Sequence, residues 1–278
     1  MPSLEYKGWC ASRREQEEFL SPSPARRLMA TLNHDPDGIR EGAVLPPLWH
    51  WLYFLPEART DGLAEDGHPF RGEFMPPVDL PLRMFAGFEL VIHKPLLLGE
   101  RAWKSEQVTG IEEKHGKSGR LVFVTVSAQV GNDGGAALHE KQTFVYRDAG
   151  PPVVSTVEES RRGQDWGMEV PISPPLLFRF SALTFNAHRI HYDREYAIEQ
   201  EGYPGLVLHG PLIALLMADL VRRNASEEPT TFEFRQRAPV FEGDTLRVLG
   251  FKQGDTDIEL LAQRGDGRVS ATGRCALA

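Results

Sequence analysis

The most continuous apolar segment of the chain is GPLIALLMADLVRRN, residues 210–224. A helix over this segment would carry apolar side chains around most of its circumference, at Leu212, Ile213, Leu215, Leu216, Leu220 and Val221. Such a helix must be enclosed by other elements, because a surface helix keeps a polar face. Pro211 suits the first turn, where its missing N–H would be unpaired anyway. The pattern therefore predicts a buried helix at 210–224.

Alternation of apolar and polar residues predicts two sets of strands. Four follow the buried helix, at 231–237, 245–252, 257–264 and 268–277, and four lie in the first half, at 88–93, near 101–109, at 120–130 and at 137–147. Gly-rich turns separate several of them. A long antiparallel sheet that follows one buried helix can curl round it, which predicts an α+β fold.

A weak internal repeat relates the two halves. FELVIHKPLLLGE (88–100) aligns with FEFRQRAPVFEGD (232–244) at an offset of 144, and each ends in a proline, three residues, a glycine and an acid. GAVLPPLWHWLYFL (42–55) resembles 205–218 at an offset of 163, which predicts a helix there too. Trp49, Trp51 and Phe54 would pack this first-half helix. The difference of 19 residues is assigned to the Gly- and Pro-rich loop at 66–81.

A charged, turn-rich linker at 147–167 marks a domain boundary. We expect an N-terminal half at 1–150 and a C-terminal half at 151–278.

Composition narrows the class of protein. The chain has 31 basic and 39 acidic residues, a net charge of −8, which argues against nucleic-acid binding. It has no apolar run long enough to span a membrane and no secretory signal pattern at its start. Two cysteines at opposite ends make no disulfide framework. We expect a cytoplasmic protein with no membrane or nucleic-acid partner.

The segment FNAHRIHYD (185–193) concentrates groups that can carry protons. Asn186 and His191 are five residues apart, so on one continuous helix they would be separated by a rotation of about 500° and point apart. They converge only if the chain turns between them. We read residues 176–210 as a strand that turns into the buried helix, with Asn186, His188 and His191 at the corner.

These residues resemble the signature of the MaoC-like, R-specific enoyl-CoA hydratase family. That signature reads Asp, any residue, Asn, Pro, aliphatic, His, and residues 186–191 here read NAHRIH. GLVLHG (205–210) and FRQRAPVFEGDTL (234–246) match later family elements. Three longer segments resemble those of one branch of the family, which includes mesaconyl- and itaconyl-CoA hydratases and mitochondrial 3-hydroxyacyl-thioester dehydratases. These segments are SALTFNAHRIHYD, YPGLVLHGPL and LPPLWHWLYFLP.

The resemblance implies a double hot-dog fold, with a sheet wrapped round a helix in each half. The first half has no counterpart of FNAHRIH, so it would be a degenerate copy without the catalytic corner. The implied activity is reversible hydration of an α,β-unsaturated acyl-CoA, with a short branched dicarboxylic acyl group such as itaconyl or mesaconyl. Coenzyme A would be part of the substrate. We expect no metal, no separate cofactor and a homodimer.

The resemblance also assigns roles to residues. His191 would be the base, Asn186 would orient water and His188 would share the work. Asn186 stands where the family has an acid, and a carboxamide cannot take a proton at neutral pH. The thioester oxygen would meet the N-terminus of the buried helix, at Gly210, Leu212 and His209. A substrate carboxylate or the CoA would contact Arg189, Arg194 or Tyr192.

Other interpretations stay open at this point. The chain could be a 3-hydroxyacyl-thioester dehydratase for linear chains, an acyl-CoA thioesterase or a non-catalytic subunit that binds acyl thioesters. His188, His191 and His209 could instead ligate zinc, although no cysteine or spaced acid supports such a site. The histidines could also be purely structural.

Overall fold

Ten strands form one antiparallel sheet in the computed structural model, which describes residues 4–116, 119–150 and 163–278. The strands are β1 (Arg13–Phe19), β2 (Leu82–Ile92), β3 (Arg101–Gly116), β4 (Gly119–Asn132), β5 (Gly135–Arg147), β6 (Trp166–Pro171), β7 (Pro229–Gln236), β8 (Thr245–Gln253), β9 (Asp257–Arg264) and β10 (Val269–Leu277). The helices are α1 (Pro22–Thr31), α2 (Pro174–Leu183), α3 (Arg194–Glu199) and α4 (Gly210–Asn224). Short 3-10 turns lie at Leu4–Trp9, Trp49–Leu52, Thr60–Gly62 and Arg189–His191. The eight predicted strands are all present.

The strand order shows that the sheet consists of two related halves. It runs β1-β3-β4-β5-β2-β7-β10-β9-β8-β6, so each first-half strand has a counterpart at the mirrored position. The halves join where β2 pairs with β7, with Glu89 opposite Glu233. These two glutamates are equivalent in the sequence repeat, at its offset of 144. A local two-fold relation therefore passes through this pair.

The internal repeat is also seen in individual hydrogen bonds. Leu45 N–H donates to the Leu96 carbonyl over 2.8 Å, and Leu208 N–H donates to the Val240 carbonyl over 2.8 Å. At the two turns, the acid of the repeat accepts a backbone N–H, from Leu97 to Glu100 over 2.8 Å and from Phe241 to Asp244 over 3.0 Å. The sequence repeat thus corresponds to the same turn built twice.

Helix α4 is the centre of the second half. Every residue from Leu212 to Val221 is buried, and the helix packs against β2, β6, β8, β9 and β10. A sheet curled round one enclosed helix is the predicted hot-dog arrangement. Among the described residues, no helix is long and apolar enough to cross a membrane.

The predicted first-half helix at 42–55 was wrong. The chain there is extended and irregular apart from the 3-10 turn Trp49–Leu52. Pro46 and Pro47 remove two N–H donors and push the preceding residues out of helical conformation. Trp49 and Phe54 are buried as predicted, but they pack in the general core. Among the described residues, the first-half sheet therefore has no helical counterpart of α4.

The interpretation of residues 176–183 as a strand was also wrong. Pro174–Leu183 forms α2, which starts with prolines in its first turn after the N-cap Ser173. The alternating aromatics of LLFRFSAL imitate a strand pattern. The segment with Asn186, His188 and His191 therefore lies in a helix-to-helix turn. The predicted boundary at 150/151 adjoins residues 151–162, which lie outside the described ranges, so the division into 1–150 and 151–278 stays a prediction.

Candidate active site

The turn after α2 places Asn186, His188 and His191 at one cavity. Phe185 has a φ of 49°, which breaks the helix, and Asn186 Oδ1 then accepts the N–H of His188 over 3.0 Å. This local bond is an Asx-turn, a conformation that asparagine favours. It fixes the carboxamide oxygen and leaves the NH₂ group of Asn186 as its available donor. Asp193 caps the next helix, α3, by accepting the N–H of Tyr196.

His191 has the geometry of a neutral base. Its Nδ1 lies 2.8 Å from the Val207 carbonyl, which can only accept, so Nδ1 carries the proton and Nε2 keeps its lone pair. Burial lowers the pKa of His191 well below its ordinary value, and nearby His209 and His188 lower it further. The imidazole is therefore uncharged at neutral pH and able to take a proton.

The His209 ring packs against the His191 ring. The two rings stack with centroids 3.6 Å apart, and His209 Nε2 lies 2.9 Å from Ser181 Oγ. Burial and then the charge of His188 lower the pKa of His209 to about 3. His209 is 1% exposed and is not among the residues lining the cavity. The predicted contact of His209 with the thioester is therefore corrected, because its side chain is turned back toward α2.

His188 is paired with a carboxylate that sequence reasoning missed. His188 Nε2 lies 3.1 Å from Glu201 Oε1, and both side chains are buried. Glu201 follows α3 and precedes the segment to Val207. This buried glutamate supplies an acid at the site although the family position of the acid holds Asn186.

A loop of the first half completes the site. The His68 ring lies 4.2 Å from the His188 ring, and His68 Nδ1 lies 3.1 Å from Asp66 Oδ2. Burial lowers the pKa of His68 to about 3, with His188 and Arg83 contributing and Asp66 opposing. Burial raises the pKa of Asp66, but the hydrogen bond and charge of His68 outweigh it and keep the carboxyl group ionised.

Gly67 makes this docking possible. It has a φ of +88°, and a Cβ there would lie 1.8 Å from the carbonyl oxygen of Ala187. The N–H of Arg189 donates to the Asp66 carbonyl over 2.9 Å, which joins the loop to the catalytic turn. The extra 19 residues of the first half therefore include a part of the site, and the first half is not merely a degenerate copy.

The group with metal-ligand spacing differs from the histidine set considered from the sequence. In the described parts of the chain, Asp66, His68 and His188 offer donor atoms within 4.8 Å of one another. The His188 side chain is hydrogen-bonded to Glu201, and the Asp66 side chain is hydrogen-bonded to His68. His191 faces a carbonyl and His209 a hydroxyl, so the set His188, His191 and His209 does not converge.

The N-terminus of α4 offers one backbone donor to the cavity. Gly210 lines the cavity, and the described residues include no acceptor bonded to its N–H. Leu212 N–H already donates to the His209 carbonyl over 3.1 Å, and Leu212 is fully buried. Of the two predicted oxyanion donors, Gly210 is the available one.

Two of the three predicted substrate contacts lie outside the cavity. Arg189 pairs with Asp193 over 2.8 Å, and Arg194 pairs with Glu242 while remaining 64% exposed. Neither arginine lines the cavity. Tyr192 does line the cavity, and its hydroxyl donates to the Ala187 carbonyl over 3.0 Å. Both arginines are held by carboxylates that do not line the cavity.

The cavity has a volume of 1020 Å³ and is formed by both halves. Such a volume lies at the upper end of small-molecule sites, which measure roughly 300–1,000 Å³. Aromatic side chains from the first half form much of its wall, among them Trp51, Phe54, Phe85 and Phe144. The cavity is therefore a large, mostly apolar site with Asn186, His188 and His191 in its wall.

Comparison with known proteins agrees with this architecture. The chain is 43% identical to mesaconyl-C(4)-CoA hydratase of Chloroflexus aurantiacus over 272 residues, which cover 97% of each chain. A MaoC-like dehydratase from Phytophthora capsici has a similar fold, with a TM-score of 0.72 and 14% identity over 96% of this chain and 95% of that one. A Mycobacterium tuberculosis protein described as a double hotdog fold has a TM-score of 0.62 and 14% identity, with 96% of each chain covered.

The family model that matches the chain is hydroxyacyl-thioester dehydratase type 2, over residues 48–242. This match spans the cavity walls, the Asp66–His68 loop, the catalytic turn and α4. With its double hot-dog fold and MaoC-like relatives, the chain belongs to the hydroxyacyl-thioester dehydratase type 2 family.

Proposed function

We propose that the protein is a hydro-lyase that adds water reversibly across the double bond of an α,β-unsaturated acyl-CoA thioester. The observation that carries this proposal is the neutral His191 in the wall of a large, mostly apolar cavity, with Nε2 left to accept a proton because Nδ1 bonds to the Val207 carbonyl. The family and the hydratase relative support the same reaction.

In the proposed mechanism, three side chains hold the attacking water. One O–H points to His191 Nε2, which takes the proton. The second points to His188 Nδ1, which is an acceptor when Nε2–H donates to Glu201. The NH₂ group of Asn186 donates to the water oxygen, since its carbonyl oxygen is used in the turn. The oxygen forms its bond to the β carbon as the proton leaves.

The charge that develops during this step lies on the thioester oxygen, as an enolate. The N–H of Gly210 at the start of α4 would stabilise it, because that end carries an unpaired donor and the positive end of the helix dipole. His191 then returns its proton to the α carbon. One water has been added, and His191 is neutral again.

The proposed acyl group is short, branched and dicarboxylic, as in mesaconyl-CoA or itaconyl-CoA. The hydratase relative supports this choice, since its name specifies mesaconyl-C(4)-CoA. The family description favours a second candidate, dehydration of a 3-hydroxyacyl thioester, which would use the same residues in the reverse direction.

A panel of CoA esters tests the proposal. Purified protein would be mixed with mesaconyl-C4-, itaconyl- and crotonyl-CoA, and the enoyl absorbance and free thiol would be followed together. The proposal expects absorbance to fall with no thiol released. Thiol release would indicate a thioesterase, and no change with any ester would indicate a binding subunit.

A further inference from the structure

One arginine in the cavity wall is buried and only partly hydrogen-bonded. Arg147, the last residue of β5, lines the cavity and is 6% exposed. Its Nη1 donates to the carbonyls of Asp148 and Gly150 over 3.1 and 3.4 Å. Its Nε and Nη2 are buried and have no hydrogen-bond partner. On this edge of the guanidinium no acceptor lies at hydrogen-bond geometry, although the Tyr203 hydroxyl is close to the group.

This free edge is suited to a carboxylate. Nε–H and Nη2–H point in parallel from the same side of the planar group, which matches the two oxygens of a carboxylate. A buried charge with unpaired donors is costly, and an anion bound there would remove that cost. Arg147 is among the residues that line the cavity, so an anion bound there needs only a local shift of side chains to reach the two donors.

The other basic side chains of the cavity wall are already engaged or reach solvent. Arg14 and Lys104 both pair with Glu106. Arg71 donates to three backbone carbonyls, those of Val78, Leu80 and Pro81.

Arg83 lies over the Phe144 ring, 4.7 Å from its centroid, and is half-buried, while Arg237 is exposed. Within the described ranges, Arg147 is thus the cavity-lining arginine that is both buried and open on one edge.

Arg147 also lies close to the catalytic residues. Its guanidinium lies beside the Tyr203 hydroxyl: burial and then the charge of Glu201 raise the pKa of Tyr203, while the charge of Arg147 and a side-chain hydrogen bond with it oppose that rise. Tyr203 lines the cavity and stands two residues after Glu201, the partner of His188. The guanidinium therefore lies on the Tyr203 side of the cavity.

We propose that Arg147 binds the free carboxylate of a dicarboxylic, α,β-unsaturated acyl-CoA and thereby selects this substrate class. The inference rests on the proposed hydratase function. In mesaconyl-C4-CoA the free carboxylate is attached to the β carbon, so an arginine near the histidines would also orient the carbon that receives water. Arg189 and Arg194, which pair with Asp193 and Glu242 and do not line the cavity, have no part in this contact.

The test compares substrates that differ in charge. Mesaconyl-C4-CoA is paired with the same thioester methylated at its free carboxyl group, and crotonyl-CoA is the third substrate. For the wild type we expect kcat/KM to be higher on the free acid by roughly tenfold to a hundredfold, the worth of hydrogen bonds to a charged group. Equal kcat/KM on the acid and its methyl ester would overturn the proposal without any variant.

Variants then test the residue. Arg147→Gln should lower kcat/KM on the free acid by a similar factor and leave the methyl ester and crotonyl-CoA nearly unchanged. Arg147→Lys keeps the charge without the parallel donors, so its kcat/KM on the free acid should lie between those of the wild type and Arg147→Gln. It replaces Arg147→Gln in the test if the glutamine variant does not fold. Arg268→Gln, in the turn before β10 and away from the cavity, is the matched control. An equal loss on all substrates, or no loss on any, would overturn the role of Arg147.

The same panel of substrates distinguishes a failure of the role of Arg147 from a failure of the proposed hydratase function. If the wild type hydrates crotonyl-CoA but does not prefer the carboxylate, only the role of Arg147 fails. If the wild type hydrates none of the three esters, the proposed function fails and the role of Arg147 fails with it.

Discussion

His188 Nε2 and Glu201 Oε1 lie 3.1 Å apart, and both side chains are buried. The contact joins the catalytic turn to the segment after α3 and gives the site a carboxylate that the family signature would place at residue 186. A buried pair of this kind holds one tautomer and one ring orientation. The role that we propose for His188, to orient the water, depends on this pair.

We expect Glu201→Gln to lower kcat by roughly tenfold to a hundredfold, because general acid–base groups of correct orientation are worth about 10² to 10⁴. Glutamine has the same size but no longer fixes which nitrogen of His188 carries the proton. The measurement is steady-state hydration with circular dichroism as a check of folding. A kcat equal to that of the wild type would show that the pair is structural only.

Gly67→Ala should separate the first-half loop from the catalytic turn. The new Cβ would collide with the Ala187 carbonyl, and the φ of +88° would be strained. Since a displacement of about 1 Å can cost 10²-fold in rate, we expect a loss of at least roughly tenfold. Gly62→Ala is the matched control, because a Cβ there meets nothing within 4 Å and φ is not positive. Equal activity of the two variants would contradict the role of this loop.

The two substitutions of Asn186 should differ. Asn186→Asp keeps an oxygen that can accept the His188 N–H, so its stability should stay near that of the wild type, but it loses the NH₂ donor to the attacking water and should lose most activity. Asn186→Ala loses that acceptor, which should cost about 1 kcal/mol of unfolding free energy as well as most activity. Urea unfolding and hydration rates check both effects. Substantial activity of Asn186→Asp would contradict the donor role of the NH₂ group, and equal stability of the two variants would contradict the role of Oδ1 in the turn.

The buried histidines should make stability depend on pH. Because the pKa of His209 is lowered in the folded state from 6.5 to about 3, the unfolded chain binds more protons between these values. Stability is therefore fully present above pH 6.5 and is lost as the pH falls toward 3. We expect His209→Gln, which can still bond to Ser181, to lose less stability between pH 7 and pH 5 than the wild type. The same slope in both proteins would contradict the lowered pKa.

Much of the fold could be predicted because alternation and apolar periodicity are local signals. The eight central strands and α4 follow from them directly. The predicted helix at 42–55 was wrong because Pro46 and Pro47 prevent a helix despite the similarity of this segment to 205–218. The strand predicted in place of α2 was wrong because alternating aromatic residues imitate a strand pattern. Proline chemistry was the better guide in both places, since prolines in the first turn begin α2.

The site was predictable only where its residues are close in sequence. Asn186, His188 and His191 share one short segment, whereas Glu201 reaches His188 across α3 and His68 comes from the other half of the chain. Such contacts depend on how the halves are joined, which no local pattern contains. The sequence indicated the contribution of the first half only through its 19-residue surplus. A glycine-rich insertion that contains an aspartate and a histidine can contribute residues to a functional site.

The central claim is that neutral His191 transfers the proton when water adds to an acyl-CoA double bond. Its most direct test is the rate of hydration of an unsaturated acyl-CoA by the wild type and His191→Ala over pH 5 to 8, followed by enoyl absorbance with mass detection of the added water. We expect the variant to lose roughly 10²-fold or more. We also expect the acid limb of the wild-type profile to lie below pH 6.5, since burial lowers the pKa of His191. Near-normal hydration by a folded His191→Ala protein would contradict the claim.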